Sequence, residues 1–378
     1  MNSKIHVLIP DGDSTWALSV LSCLSYNPDY KFFVLSNTKR TATKYSRYTA
    51  YYKYYKRTSD QDWLEILNKE IEANDISVIV PIAEIEMQFF ITYQNLLNES
   101  AKLIFLPNME AFQTAIHKNK LSYFIKEHQL PHPKFVDFNS VEAFKKSSFS
   151  LSFPVLMKPL HDKGGDGILR FDSLNSLNTY LDKIADSEHV FIQEYIEGYD
   201  IDCSVICLKG EVLAYTIQKG NLLGHSPFAP QLGFNFTNND KVIRLVRELM
   251  QKLDWSGVAH IDLRYDKKEE DYKVIEINAR FWGSVDGSRV AGINFPELAI
   301  KLAMQGSIEK TSFRTIHYMR LKGVLKSIKR KPSFIFKRKY LLNNTETKSF
   351  LRDPLPTVCR FFEWFSRLFQ LVFMVGLV

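Results

Sequence analysis

Two short stretches hold the residue types from which a divalent-cation site is made: His260-Ile261-Asp262-Leu263-Arg264 and Lys273-Val274-Ile275-Glu276-Ile277-Asn278-Ala279-Arg280. Each alternates polar and apolar residues with the period of two of an extended strand. His260, Asp262 and Arg264 therefore share one face, as do Glu276, Asn278 and Arg280, and Ile261, Leu263, Ile275, Ile277 and Ala279 are left for a core. The intervening Asp266-Lys267-Lys268-Glu269-Glu270-Asp271 reads as a hairpin loop, and a fold-back near Glu269 sets Asp262 opposite Glu276. A carboxylate pair with the amide oxygen of Asn278 beside it supplies hard oxygen ligands suited to Mg²⁺, with Mn²⁺ as the near alternative. Without a cation, two carboxylates pressed together on a half-buried face repel. An ordinary hairpin with a solvated face shows the same alternation, so the upstream residues decide between the two readings.

Phe153-Pro154-Val155-Leu156-Met157-Lys158-Pro159 is a short apolar strand carrying one lysine, followed by Gly164-Gly165-Asp166-Gly167 and then Ile168-Leu169-Arg170-Phe171. Strand, glycine loop and strand form a hairpin whose tip can lie over phosphates. Glycines let backbone N–H groups approach anionic oxygens, and the lysine adds a point charge to the same oxygens. The apolar strand Val190-Phe191-Ile192 then runs through Gln193-Glu194-Tyr195-Ile196 to Gly198 and emerges with acids at Asp200 and Asp202. Such a hinge offers backbone groups to an adenine edge and a carboxylate to ribose hydroxyls.

In this order, lysine strand, glycine loop, acidic hinge and Asp/Glu-x-Asn hairpin resemble the ATP-grasp superfamily over roughly residues 113–310. The resemblance makes Lys118 and Lys158 the nucleotide lysines and Gly164, Gly165 and Gly167 the phosphate loop. It makes Gln193, Glu194, Tyr195 and Ile196 the adenine hinge, and either Asp200 or Asp202 the ribose acid. Asp262, Glu276 and Asn278 become the metal ligands. Arg280, before Phe281-Trp282-Gly283-Ser284, becomes the cation on phosphate or reacting intermediate, and Lys158 shares that catalytic role. The chain departs from the family in having His117 where an acid often precedes the first lysine, and Asp262 where glutamate is frequent.

Length and composition agree. The chain has 378 residues, 45% apolar and 24% charged, enough to bury cores in two or three domains. A formal charge of +7 is too diffuse to argue for a nucleic-acid groove, so no nucleic-acid partner is expected. Cys23, Cys203, Cys207 and Cys359 lack metal-finger spacing, and no signal peptide is legible, which points to a cytoplasmic protein.

Before the motif region, residues 4–10, 31–35, 77–81 and 103–106 read as buried strands alternating with helices at 16–24 and 63–73. That pattern implies a parallel sheet with helices on its faces. The overall fold class is α/β and α+β: an N-terminal Rossmann-like parallel-sheet domain followed by a two-lobed ATP-grasp module. The expected boundaries are 1–112, a small lobe at 113–190, a large lobe at 191–310 and a basic extension at 311–378. Asp11-Gly12-Asp13 puts two acids where a pyrophosphate loop needs glycines, which discounts NAD binding. Arg40, Lys44, Arg47 and tyrosines 45, 48, 51, 52, 54 and 55 read either as a cluster facing the substrate or as a basic, aromatic loop covering the domain surface, and the second reading is favoured. Glu84 and Glu86 stand at the carboxyl end of a strand, where open parallel sheets bind ligands, so they read equally as holders of an acceptor's amino group and as helix-start acids favoured by the macrodipole. Residues 218–240 read as a long loop of lid type, with His225 in it.

At the C-terminus a basic run (Lys326, Lys329, Arg330, Lys331, Lys337, Arg338, Lys339) precedes the aromatic, amphipathic residues 361–378. Two outcomes stand side by side: peripheral contact with the inner face of a membrane, and docking on the protein itself or in a homodimer. The resemblance implies an ATP-dependent ligase that joins a small-molecule carboxylate to an amine through an acylphosphate, with ATP and Mg²⁺ as cofactors. The alternatives are a kinase or carboxylase using the same nucleotide site, and a non-catalytic ATP-binding protein linked to membrane-associated surface-polymer synthesis.

Overall fold

The computed structural model describes residues 4–160, 167–224 and 229–360. The expectations on Gly164, Gly165, Asp166, His225 and residues 361–378 fall outside these.

The N-terminal layer is a parallel sheet of five strands, Ile5–Ile9 (β1), Tyr30–Ser36 (β2), Thr49–Tyr54 (β3), Val78–Ile79 (β4) and Lys102–Leu103 (β5), in the order β3-β2-β1-β4-β5. Helices form where apolar residues recur at helical spacing behind a polar cap. Ser59 accepts from the Asp62 N–H to start Asp60–Ala73, which buries Trp63, Leu64, Leu67 and Ile71. Asn108 does the same for Met109–Ile116 through the Ala111 N–H. One stretch departs from expectation: Thr49–Tyr54 is an edge strand pairing with β2, not a surface loop. Tyr51 packs against Phe33 with its ring tilted, and Lys53 and Tyr55 meet the buried Glu70, so these residues build the layer. Asp11 accepts from the Ile82 and Ala83 N–H groups, which puts a carboxylate where a phosphate would need space.

A second sheet of four antiparallel strands, Phe135–Phe138 (β6), Val155–Met157 (β7), Leu169–Phe171 (β8) and Val190–Glu194 (β9), has the order β6-β9-β7-β8. It extends through Glu194, past residue 190. β7 and β8 pair directly, Val155 opposite Phe171, as the lysine hairpin requires. Val141, Phe144, Leu177 and Leu181 close its own small core.

The third sheet has six antiparallel strands, Gly198–Leu208 (β10), Glu211–Leu222 (β11), Gly233–Phe236 (β12), Gly257–Asp266 (β13), Asp271–Asn278 (β14) and Ile316–Met319 (β15), in the order β14-β13-β10-β11-β12-β15. Within the stretch expected as a loop at 218–240, residues 218–222 and 233–236 are strand, and β15, which follows residue 310, completes this sheet. The helix Asp240–Lys252, capped by Asn239, covers it with Val242, Val246 and Leu249. One core joins this sheet to the N-terminal layer, with Val7 and Ile9 in the same cluster as Ile201, Val205 and Ile261. Asp286 pins the parts together. Its carboxylate takes Arg289 at 2.8 Å, the Tyr318 hydroxyl at 2.7 Å and the Ser349 hydroxyl at 3.4 Å, beside the Cys23 thiol. Among the described residues, no helix is long and apolar enough to cross a membrane.

Candidate functional site

Register builds the site. β13 stands between β10 and β14, and Asp202, Asp262 and Glu276 are mutual cross-strand partners. Ser204, His260 and Asn278 form the next row along the same strands. Side chains two residues apart on a strand share a face, so both rows project together. Asp262 and Glu276 do meet as the alternation predicts. The expectation for Ile275 differs: a bulge pairs Leu263 with Val274, so Val274 takes the core position and Ile275 is only half-buried.

His260 stacks on Trp282 with ring centroids 5.2 Å apart, and its Nδ1 meets the Ser204 hydroxyl at 2.8 Å. Its Nε2 thereby faces Asp262 at 3.3 Å and Asp202 at 3.9 Å. Burial, then the charge of Arg280, pushes the imidazole down to about 3, so it is neutral at physiological pH. Burial first, then the neighbouring Asp202 and Glu276 charges, holds the Asp262 carboxyl well above the usual range. Burial lifts Asp202 to about 7, against a hydrogen bond from Gln218 at 3.0 Å. Asp202, His260 and Asp262 bring their ligand atoms within 4.8 Å of one another. Asn278 donates to Asp262 at 3.2 Å while its Oδ1 accepts from Arg280 at 2.6 Å. Clustered half-buried carboxylates next to a neutral imidazole are a donor set that a divalent cation relieves.

Lys158 projects from the end of β7 and is 7% exposed, donating to the Gln193 side chain at 2.6 Å. Burial lowers it to about 8. The charges of Glu276 and Asp262 act on it in the opposite sense, and those of Lys118 and Arg264 in the same sense. The two lobes thus bring the expected lysines and acids within electrostatic reach of each other. Gly167 has φ 72°, the left-handed turn that glycine favours.

The hinge follows. Gln193 is buried against Lys158, Glu194 and Tyr195 hydrogen-bond to Lys134 and Pro154, and the Ile196 carbonyl accepts from Arg264 at 2.5 Å. Arg264 also ion-pairs with Asp200 and donates to the Tyr195 hydroxyl at 3.1 Å. The two candidate ribose acids therefore separate: the Asp200 side chain is 43% exposed beside the hinge, and Asp202 is 15% exposed in the carboxylate row. Glu86 is a structural acid, bonded by Trp63 at 2.6 Å and Arg57 at 3.2 Å, whereas Glu84 reaches Arg280 at 3.5 Å.

Ser204, Gln218 and the site role of His260 were not picked out from the sequence. The alternation Asp200-Asp202-Ser204 carried the signal, since it continues the polar face of β10.

Two family models match. One, described as ATP-grasp in the biosynthetic pathway with Ter operon, covers residues 186–324, and one for the ATP-grasp domain of prokaryotic glutathione synthetase covers residues 136–224. The carbamoyl phosphate synthase large chain of Corynebacterium glutamicum is 22% identical over 284 residues, 72% of this chain but 25% of that protein. The D-alanine–D-alanine ligase of Hydrogenovibrio crunogenus is 26% identical over 215 residues, 51% of this chain and 66% of the relative. The chain thus spans only part of the length of these curated relatives. Among solved structures, N5-carboxyaminoimidazole synthetase from Staphylococcus aureus complexed with ADP superposes with a TM-score of 0.69 at 15% identity, covering 88% of this chain and 87% of that one. A lysine-bearing sheet facing an acid-lined sheet, the two family models and this shared fold give one answer: residues 136–324 are an ATP-grasp module.

Proposed function

We propose that the protein is an ATP-dependent ligase that joins a carboxylate to an amine through an acylphosphate. The observation that carries this reading is the buried Lys158 within reach of the Glu276 and Asp262 charges. In it, the hinge Gln193, Glu194, Tyr195 and Ile196 takes the adenine. Asp200, the more exposed acid beside Tyr195, takes the ribose. Lys118, Lys158 and the loop of Gly164, Gly165 and Gly167 hold the phosphates. Asp262, Glu276 and Asn278 would hold Mg²⁺, which would supply charge neutralisation on the triphosphate.

A carboxylate oxygen of the donor attacks the γ-phosphorus, and the bond from that phosphorus to the bridging oxygen breaks as ADP leaves. The amine then attacks the acyl carbon, phosphate departs with the acyl oxygen, and the amine gives up a proton. Lys158 and Arg280 stabilise the charge that develops on the transferred group. Glu84, at the carboxyl end of β4 and 3.5 Å from Arg280, is the acid that holds the incoming amine.

The test is ADP release from Mg²⁺-ATP with pooled carboxylates and amino acids. Release should require both pools and fall at least about a hundredfold in Glu276→Ala and in Lys158→Ala, with circular dichroism unchanged. Release that needs no amine, or full turnover in either variant, contradicts the ligase reading.

A further inference from the structure

Trp16 stands just before the helix Ala17–Leu24, on the loop that leaves β1. Two guanidinium groups from distant parts of the chain face its half-buried ring: Arg280 at 6.0 Å and Arg320 at 5.4 Å from the centroid. Gly283 makes this approach possible, because a Cβ there would lie 2.8 Å from the indole and 3.1 Å from an Nη of Arg320. Beside it, Arg360 donates to the Thr15 carbonyl at 3.4 Å. Three arginines from the metal hairpin and the C-terminal extension thus gather on one short loop. Through the hydrogen bond from Arg280 to Asn278, they adjoin the carboxylate row.

Arg320 is the informative member. It meets Glu346 through Nε at 3.5 Å, its side chain is 21% exposed, and no hydrogen bond of its two Nη atoms is found among the described residues. An arginine fixed in place with its donor fork unused fits bidentate capture of an oxyanion. The indole face supplies an apolar wall for a methylene spacer between two anionic groups.

We propose that Trp16 and Arg320 form a subsite for a second anionic group on the acyl donor. The donor is then an acid with two oxyanions, the reacting carboxylate toward Arg280 and the metal ligands and a distal carboxylate or phosphate on Arg320. The proposal rests on the ligase reading and names its substrate class. It also gives the C-terminal extension, through Arg320, a part in substrate selection.

The experiment compares glutarate with butyrate, and 3-phosphonopropionate as the tetrahedral arm, in the wild type, Arg320→Gln and Arg320→Lys. ADP release is measured with pooled amino acids, and direct binding by calorimetry in the presence of Mg²⁺ and a non-hydrolysable ATP analogue. The wild type should favour a dianionic donor by about tenfold or more in kcat/KM. Arg320→Gln should remove that preference through KM, and Arg320→Lys should restore only part of it, since it returns charge without the fork. Whichever dianion wins identifies the distal group. Mg²⁺-nucleotide affinity reports an intact fold. Equal use of butyrate by the wild type, or an unchanged KM for the dianion in Arg320→Gln, overturns the subsite. If no donor supports ADP release the ligase reading fails instead, and the calorimetric arm then decides the subsite alone: Arg320-dependent binding of a dianion supports it, and absence of such binding overturns it.

Discussion

Lys158 has almost no access to water, and its ammonium donates to the amide oxygen of Gln193. Burial brings it to about 8 from the usual 10.5, so in the folded protein it is charged below about pH 8 and loses its proton above, where an exposed lysine keeps it. Bound phosphate favours the charged form. Nucleotide binding near pH 8.5 should therefore take up as much as about three quarters of a proton, read by calorimetry in buffers of differing ionisation enthalpy. The uptake should vanish in Lys158→Met and fade at pH 6.5, where the lysine is already charged. At this scale the sequence was informative wherever a residue's partner lay across a simple hairpin, as with Asp262 and Glu276. It was silent where the partner came from a strand far away in the chain. Asp202 and Ser204 join His260 only because β10 pairs with β13, and nothing in the local alternation says which strand will be the neighbour.

Among the elements, the hinge strand β10 starts under a steric constraint. A Cβ on Gly198 would come within 1.7 Å of the Tyr265 carbonyl oxygen, so only glycine lets β10 lie against β13 at that point. Gly198→Ala should cost roughly 1–3 kcal/mol or more in urea unfolding, and should weaken nucleotide binding with it, because Asp200 and Arg264 are set by the same pairing. The elements themselves were legible where apolar runs were long. The strands at β1 and β2 and the helix Asp60–Ala73 stand close to their expected bounds. β3 was missed because Thr49-Ala50-Tyr51-Tyr52-Lys53-Tyr54 is an edge strand, half-buried along its length, and its aromatic and basic residues look like solvent-facing decoration until Glu70 and Phe33 are seen to receive them. The bulge at Ile275 was equally invisible, since an alternating sequence gives no mark of an extra residue.

Over the whole molecule, the C-terminal extension ties the parts rather than trailing from them. Asp353 holds the Ser46 hydroxyl and the Arg47 N–H at 3.1 Å, and Tyr26 is flanked by Arg289 at 3.9 Å and Arg352 at 4.0 Å. Asp286, 3% exposed, is the junction of these contacts. Asp286→Ala leaves the half-buried Arg289 without its carboxylate and should destabilise the protein by roughly 3 kcal/mol, seen as a lower Tm. The four-stranded sheet stands outside this web. Its core is drawn only from residues between Val136 and Ile192, while Val7, Leu121 and Ile261 lie together in another. It meets the body where Phe135 packs edge-on against Tyr123, with ring centroids 5.0 Å apart, and where Asn119 donates to Asp137 at 3.4 Å, so any swing of the sheet over a bound nucleotide must carry or break these contacts. Under the proposed function, Lys158, riding on that sheet, both grips phosphate and gauges how far the two lobes have closed.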